Sequence, residues 1–268
     1  MRLKNILFLV IWIITVFSYS CNQNKSKNQA TPEEIISAKT FGLAYLEDNQ
    51  LENAETEFLK LIDFDPDGVS GYANLGLVYL RMGKYQEAED WVKKAIKIDP
   101  KDPDVRLILA KVYELSNNSE KAIAELEEAI RFSPGHVKSL YSLTELYSSS
   151  SDKESLKKRY NYTKELVEKA PGNIVPRLNL IDLLIHEDQA DMALEQIEKL
   201  QQLFPEFPKE AIEYYDKTIA ALQVADADKA AISFMIFHNY LKVTSVPGRN
   251  SGFKRTGRLL NRIAGNYI

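Results

Sequence analysis

VSGYANLGLVYLRMGKYQEAEDWVKKAIKIDP, residues 69–100, carries two apolar periods of helical spacing separated by a short polar break. Tyr72, Leu75, Gly76 and Tyr79 recur at steps of three and four, the spacing that lines one face of an α-helix. After the break at RMGK, Ala88, Val92 and Ala95 line a second helix. Pro100 closes it, because proline lacks a backbone N–H and disfavours helical geometry in the residue before it.

The same unit recurs along the chain. Prolines stand at 66, 100, 134, 171 and 205, in steps of 34, 34, 37 and 34. Tyrosines at 45, 79, 113 and 147 keep the step of 34, and Leu184 follows 37 later. Phe41, Leu75, Leu109, Leu143 and Leu180 form a third register with the same shifts. Small residues also pair across the break, Gly42 with Ala54, Gly76 with Ala88 and Ala110 with Ala122. Two antiparallel helices approach closely only where both facing side chains are small.

A 34-residue helix–turn–helix unit of this kind resembles the tetratricopeptide repeat family. The resemblance implies an all-α fold, an α-solenoid of about five repeats over 35–68, 69–102, 103–136, 137–173 and 174–207. Residues 208–241 read as a degenerate sixth helix pair, and 242–268 as a basic C-terminal tail. The fourth repeat has three extra residues, expected around SSSSDKE in its inter-helix turn. The fifth has Ile181 in the small-residue place, which implies splayed helices.

The N-terminus is organised differently. MRLKN supplies Arg2 and Lys4, and ILFLVIWIITVF follows with no charge, the layout of a secretory signal peptide. A membrane-spanning helix wants about 20 apolar residues, so an uncleaved anchor is the longer-run alternative. Cys21, the chain's single cysteine, comes right after FSYS, so neither a disulfide within the chain nor a cysteine metal cluster can form. With Ser20 before it, Cys21 resembles the lipidated cysteine of a bacterial lipoprotein, although Ser18 stands where that family has a Leu-like residue. Ordinary cleavage beside an incidental cysteine is the plain alternative. The resemblance implies a signal peptide over 1–20 and acyl chains on Cys21 that anchor the protein to a membrane. Residues 21–34 have no aromatic or branched aliphatic side chain and read as a flexible tether.

Removing residues 1–20 takes the net charge from −4 to −6, a poor balance for nucleic-acid binding. His136, His186 and His238 fall in different repeats, with His136 and His186 at expected turns, as solvated side chains. No phosphate loop, nucleophile elbow or metalloprotease motif is present, so neither catalytic nor metal residues are expected, no cofactor is implied, and the chain reads as no enzyme.

By the family pattern, Lys39, Leu43, Asn74, Leu77 and Arg81 face the concave groove of the first two repeats. Leu107, Lys111, Tyr141 and Leu178 continue it. Lys39 and Asn74 match two places of the family's carboxylate clamp, but Leu43, Asp104 and Ile108 hold the others. The groove therefore suits an amphipathic or extended protein segment, or else its apolar residues pack on the adjacent repeat. AAISFMIFHNYL, residues 230–241, is apolar nearly all round, which makes Phe234, Phe237 and Tyr240 a terminal docking or capping face.

The functional expectation is a lipid-anchored interaction or scaffold protein of the bacterial cell envelope, at the outer membrane since Asn22 is not the Asp of inner-membrane retention. Its partners would be envelope proteins and the membrane, not nucleic acid, with association between copies left open. The alternative is a ligand-binding component of an envelope nutrient-uptake system.

Overall fold

A computed structural model describes residues 30–244. These residues form twelve α-helices and one 3-10 turn, with no strand among them. The chain divides into two units after Ile98.

The first unit contains α1 (Pro32–Glu47), α2 (Leu51–Phe64), α3 (Val69–Arg81) and α4 (Tyr85–Ile98). Thr31 starts α1 with a reciprocal cap. Its Oγ1 accepts from the Glu34 N–H at 3.2 Å, and its own N–H donates to Glu34 Oε2 at 2.8 Å. Pro32 sits where a missing N–H costs nothing. The segment read as tether through residue 34 is therefore helical from Pro32 onward. Within each pair the small residues set the closeness of approach. A Cβ on Gly76 would lie 2.3 Å from Val92 Cγ2, so α3 and α4 need a hydrogen there. Ala38, Leu46, Ala54, Phe58, Leu61, Leu75 and Val78 form the core across α1, α2 and α3. Tyr79 closes the α2–α3 contact by donating to Glu55 Oε1 at 2.6 Å, and that bond leads burial in pushing its hydroxyl up to about 12.

The second unit contains α5 (Pro103–Leu115), α6 (Ser119–Phe132), α7 (Val137–Leu146), a 3-10 turn (Tyr147–Ser149) and α8 (Lys153–Lys169). It continues with α9 (Ile174–His186), α10 (Ala190–Leu203), α11 (Lys209–Gln223) and α12 (Ala227–Thr244). Asp102, Asp152 and Asn173 accept N-terminal N–H groups of α5, α8 and α9. The three extra residues of the fourth repeat lie in α8, not in the turn. Helix α8 has 17 residues where α6 and α10 have 14, while α7 and its 3-10 turn together keep the usual length. Asp152 fixes the start of α8, so the Lys- and Glu-rich insertion extends the helix. Around Ile181, which is fully buried, α9 and α10 keep their backbones farther apart than α3 and α4 do.

The last pair departs from regular stacking. Helix α11 packs on α10 as expected, but α12 packs against α9, the first helix of the preceding pair. Phe234 and Phe237 are thereby buried with Ile174, Leu178, Ile181 and Ile185 in one core. Phe207, in the α10–α11 connection, meets Phe237 edge-on at 5.1 Å between ring centroids.

The turn inside every pair but the fourth has a left-handed residue: Asn49 (φ 58°), Gly83 (φ 74°), Asn117 (φ 60°), Asp188 (φ 58°) and Ala225 (φ 51°). Asparagine and aspartate tolerate this conformation through local hydrogen bonding and glycine has no Cβ to clash, but alanine has neither relief. Ala225→Gly should therefore stabilise the protein by about 0.5–1 kcal/mol, after the added entropy of the unfolded glycine is subtracted. Urea unfolding measures it, and an unchanged or lowered midpoint would contradict the strain.

Candidate functional site

In the first unit Lys39 is exposed and Leu43 is 37% exposed on α1. On α3, Asn74 donates to the Ser70 carbonyl at 2.8 Å, and half-buried Leu77 packs on the core. Arg81 reaches back from α3, its Nη1 donating to the Leu46 carbonyl at 2.6 Å. This arginine satisfies a last-turn carbonyl of α1 and so ties the two first helices together.

In the second unit Leu107 and Tyr141 are half-buried on α5 and α7. Lys111 pairs with Glu114 on its own helix at 3.0 Å. Leu178 is different. It is only 3% exposed and belongs to the core that α12 completes, so it lines no open groove. Phe234 and Phe237, at 0% and 1%, likewise sit inside that core and present no docking face. Tyr240 is half-buried and stacks on Tyr214 at 5.8 Å. The outer side of α12 instead exposes Ile232 and Met235. A cleft of 440 Å³ opens between α11 and α12, lined by Tyr214, Val224, Ile232 and Ile236, with Lys217 and Lys229 beside them. Both lysines are paired, with Glu213 and Asp226 respectively. An apolar sequence on all sides of α12 signalled burial there, without telling which side would face the core.

The charge distribution is uneven. Nine of the 34 basic residues and none of the 38 acidic ones lie in 1–29 and 245–268, so residues 30–244 carry −13. A surface of that sign favours cationic partners and repels acidic ones.

One constellation has the residue types of a hydrolytic triad. His136 Nδ1 lies 2.8 Å from Ser139 Oγ, and its Nε2 lies 3.6 Å from Asp104 Oδ1. Lys138 Nζ joins Asp104 at 2.9 Å. Ser139, however, is fully buried at the start of α7, where no substrate can reach its hydroxyl. The trio ties α5 to α7, and His136 is mostly buried there, not the solvated side chain its turn position suggested. His186 is the exposed one, and His238 packs beside Phe234. No group of three His, Cys, Asp or Glu among the described residues could hold a metal ion.

Three family models match the chain: two described as tetratricopeptide repeat, over residues 69–102 and 91–124, and one as TPR repeat, over 42–83. Residues 42–124 therefore match tetratricopeptide repeats, and folds of this class typically mediate protein–protein interactions. Among solved structures, one titled as the functional characterization of Pseudomonas aeruginosa pilF is 20% identical, with a TM-score of 0.56. The match covers 81% of this chain and 94% of that one. A MamA crystal structure is 19% identical over 65% of this chain and 93% of its own, with a TM-score of 0.51. MamA from Desulfovibrio magneticus is 18% identical over 65% and 97%, at 0.50. These likenesses establish the α-solenoid fold. No curated protein sequence matches the chain.

The Asp104 contact yields a pH prediction. Its bond to His136 leads, with Lys138 adding, in holding the carboxyl well below the usual carboxylate range, against the opposing cost of its burial. A depressed folded pKa gives stability that is fully present above the unfolded value and lost as pH falls toward the folded one. Below about pH 4 the wild type should lose stability more steeply than Asp104→Asn, as read by thermal melts across pH 2–7. Parallel pH profiles would remove the carboxylate from that role.

Proposed function

We propose that the chain is a lipid-anchored interaction protein of the bacterial cell envelope, held at the outer membrane by acyl chains on Cys21 and recruiting protein partners through its repeats. The carrying observation is the basic start and short apolar run that end at Ser20 and Cys21. Cys21 and the rest of residues 1–29 lie outside the described part of the structure, so this support is that of the sequence. A polar connection of ten residues, 22–31, separates the cysteine from the first helix, enough chain to hold the repeats clear of a bilayer surface. No described helix is long and apolar enough to cross a membrane.

The repeats supply the binding surface. Leu107 and Tyr141 keep part of their surface open to a partner, whereas Leu178 has spent its surface on α12. The reading includes no catalytic role and no cofactor. Against catalysis at the Ser139–His136–Asp104 trio stands the fully buried hydroxyl of Ser139.

Cys21→Ser should move the protein from the membrane fraction to the soluble fraction, or stall its processing. Labelling with a palmitate analogue should mark the wild type alone. Label on the Cys21→Ser variant would reject the anchor. For the groove, Leu107→Ala combined with Tyr141→Ala should weaken a crosslinked partner complex while changing the melting temperature little. Leu178→Ala should instead cost about 2–5 kcal/mol of stability, the range for truncating a buried leucine. Equal stability losses in the two variants would make all three residues core and leave the groove without a role.

A further inference from the structure

Three positions recur on the first helix of each pair, and their burial changes along the chain. On α3 they are Gly71, Leu75 and Val78, all buried. On α9 they are Pro176, Leu180 and Leu183, also buried; on α7 Ser139 and Leu143 are fully buried and Leu146 half-buried, while on α11 the set is Glu213, Lys217 and Ala220, exposed and largely charged. On α1 the corresponding residues are Ser37, Phe41 and Ala44, and all three are exposed, Phe41 by 54%. The neighbour that this face expects is visible elsewhere in the fold. A Cβ on Gly71 would lie 2.7 Å from Ile62 Cγ1 and 3.5 Å from Leu61 Cγ, so on α3 the face is covered by α2. In the same way α6 lies on α7 and α8 lies on α9. Among the described residues no helix precedes α1.

The small–large–small pattern of Ser37, Phe41 and Ala44 is thus a helix-receiving surface, with a small side chain about one turn to each side of one exposed aromatic ring. Its charge narrows the occupant. Glu34 and Asp48 extend the stripe at its two ends, in steps of three, four, three and four residues, and both are exposed. Those ends are about 21 Å apart along the helix. Two copies of this face packed antiparallel would set Glu34 of one beside Asp48 of the other, an unfavourable pairing of like charges.

We propose that the Ser37–Phe41–Ala44 face of α1 docks a helix of a partner protein, seated as α2 sits on α3, with a Leu/Ile ridge over Phe41 and Lys or Arg near both ends. The interaction adds one helix to the array, burying an apolar face whose equivalents on α3 and α9 are buried within the chain. It does not depend on lipidation of Cys21.

A photo-crosslinking amino acid placed at position 41 of the full-length chain, in the cells that make it, tests this. The expected product is one adduct whose crosslinked peptide has an apolar helical ridge flanked by Lys or Arg. Asp48→Lys should lower its yield about fivefold, the effect of reversing one exposed charge pair. An adduct to this chain, to a second copy or to lipid would overturn the proposal, and so would no adduct at all. Purified Phe41→Ala gives a second reading. Its melting temperature should shift by less than about 2 °C if only a partner covers the ring. A drop of many degrees would show that the chain covers Phe41 itself, and would reject an external helix.

Discussion

No helix pair of this chain can bury its apolar residues alone, so the contact between the second helix of one pair and the first helix of the next decides the fold. In the first unit that contact is Leu61 and Ile62 of α2 against Gly71 of α3, with Tyr79 and Glu55 bonded at its edge. Everything periodic in the sequence serves it. Small residues let the helices of a pair come close, left-handed residues reverse the chain at a fixed place, and prolines end each unit in register. Because the contact is between neighbours, each end of an array has a face with nothing to meet. The two ends solve this differently. At the C-terminal end α12 leaves the regular path and lies on α9, which buries Phe234 and Phe237. At α1 the face around Phe41 is left open.

The repeat unit was legible because its signals are local and recur in step. Proline, tyrosine and leucine registers all shift together by 34 or 37, and the structure places a helix pair at every recurrence. What a sequence period conveys is that a residue is buried, not what buries it. Leu178 reads as a groove position by its place in the repeat, yet α12 covers it. The address of α12 depends on aromatic contacts among Phe207, Tyr215 and Phe237, which are 8 and 22 residues apart and follow no repeat. The insertion in the fourth unit was legible as a count of three and not as a place, since SSSSDKE contains both a turn signal and a helix cap. Asp152 chose the cap. Likewise the start of α1 was hidden in a polar stretch, where Thr31 and Glu34 form a box too short to stand out by composition.

A second periodic device links the two helices of a pair, and it varies in chemistry from unit to unit. Residues 19 apart meet across the pair: Tyr72 with Trp91 at 6.0 Å between ring centroids, Arg106 with Glu125 at 2.6 Å, and Arg177 with Gln196 at 2.7 Å. The first is an aromatic contact and the second a charge-assisted bond. The third holds an arginine that is 5% exposed against a neutral amide. Burial accordingly pushes the Arg177 guanidinium down, because no carboxylate at this position repays its desolvation. The position thus tolerates stacking, ion pairing or a single neutral hydrogen bond, provided that the two side chains together fill the space between the helices. Geometry is what the repeat conserves within this chain, and charge is free to vary. That freedom explains how residues 30–244 reach −13 without losing the fold. The acidic side chains lie mainly outside the stacking contacts, where they govern which partners approach and leave the neighbour-to-neighbour burial intact.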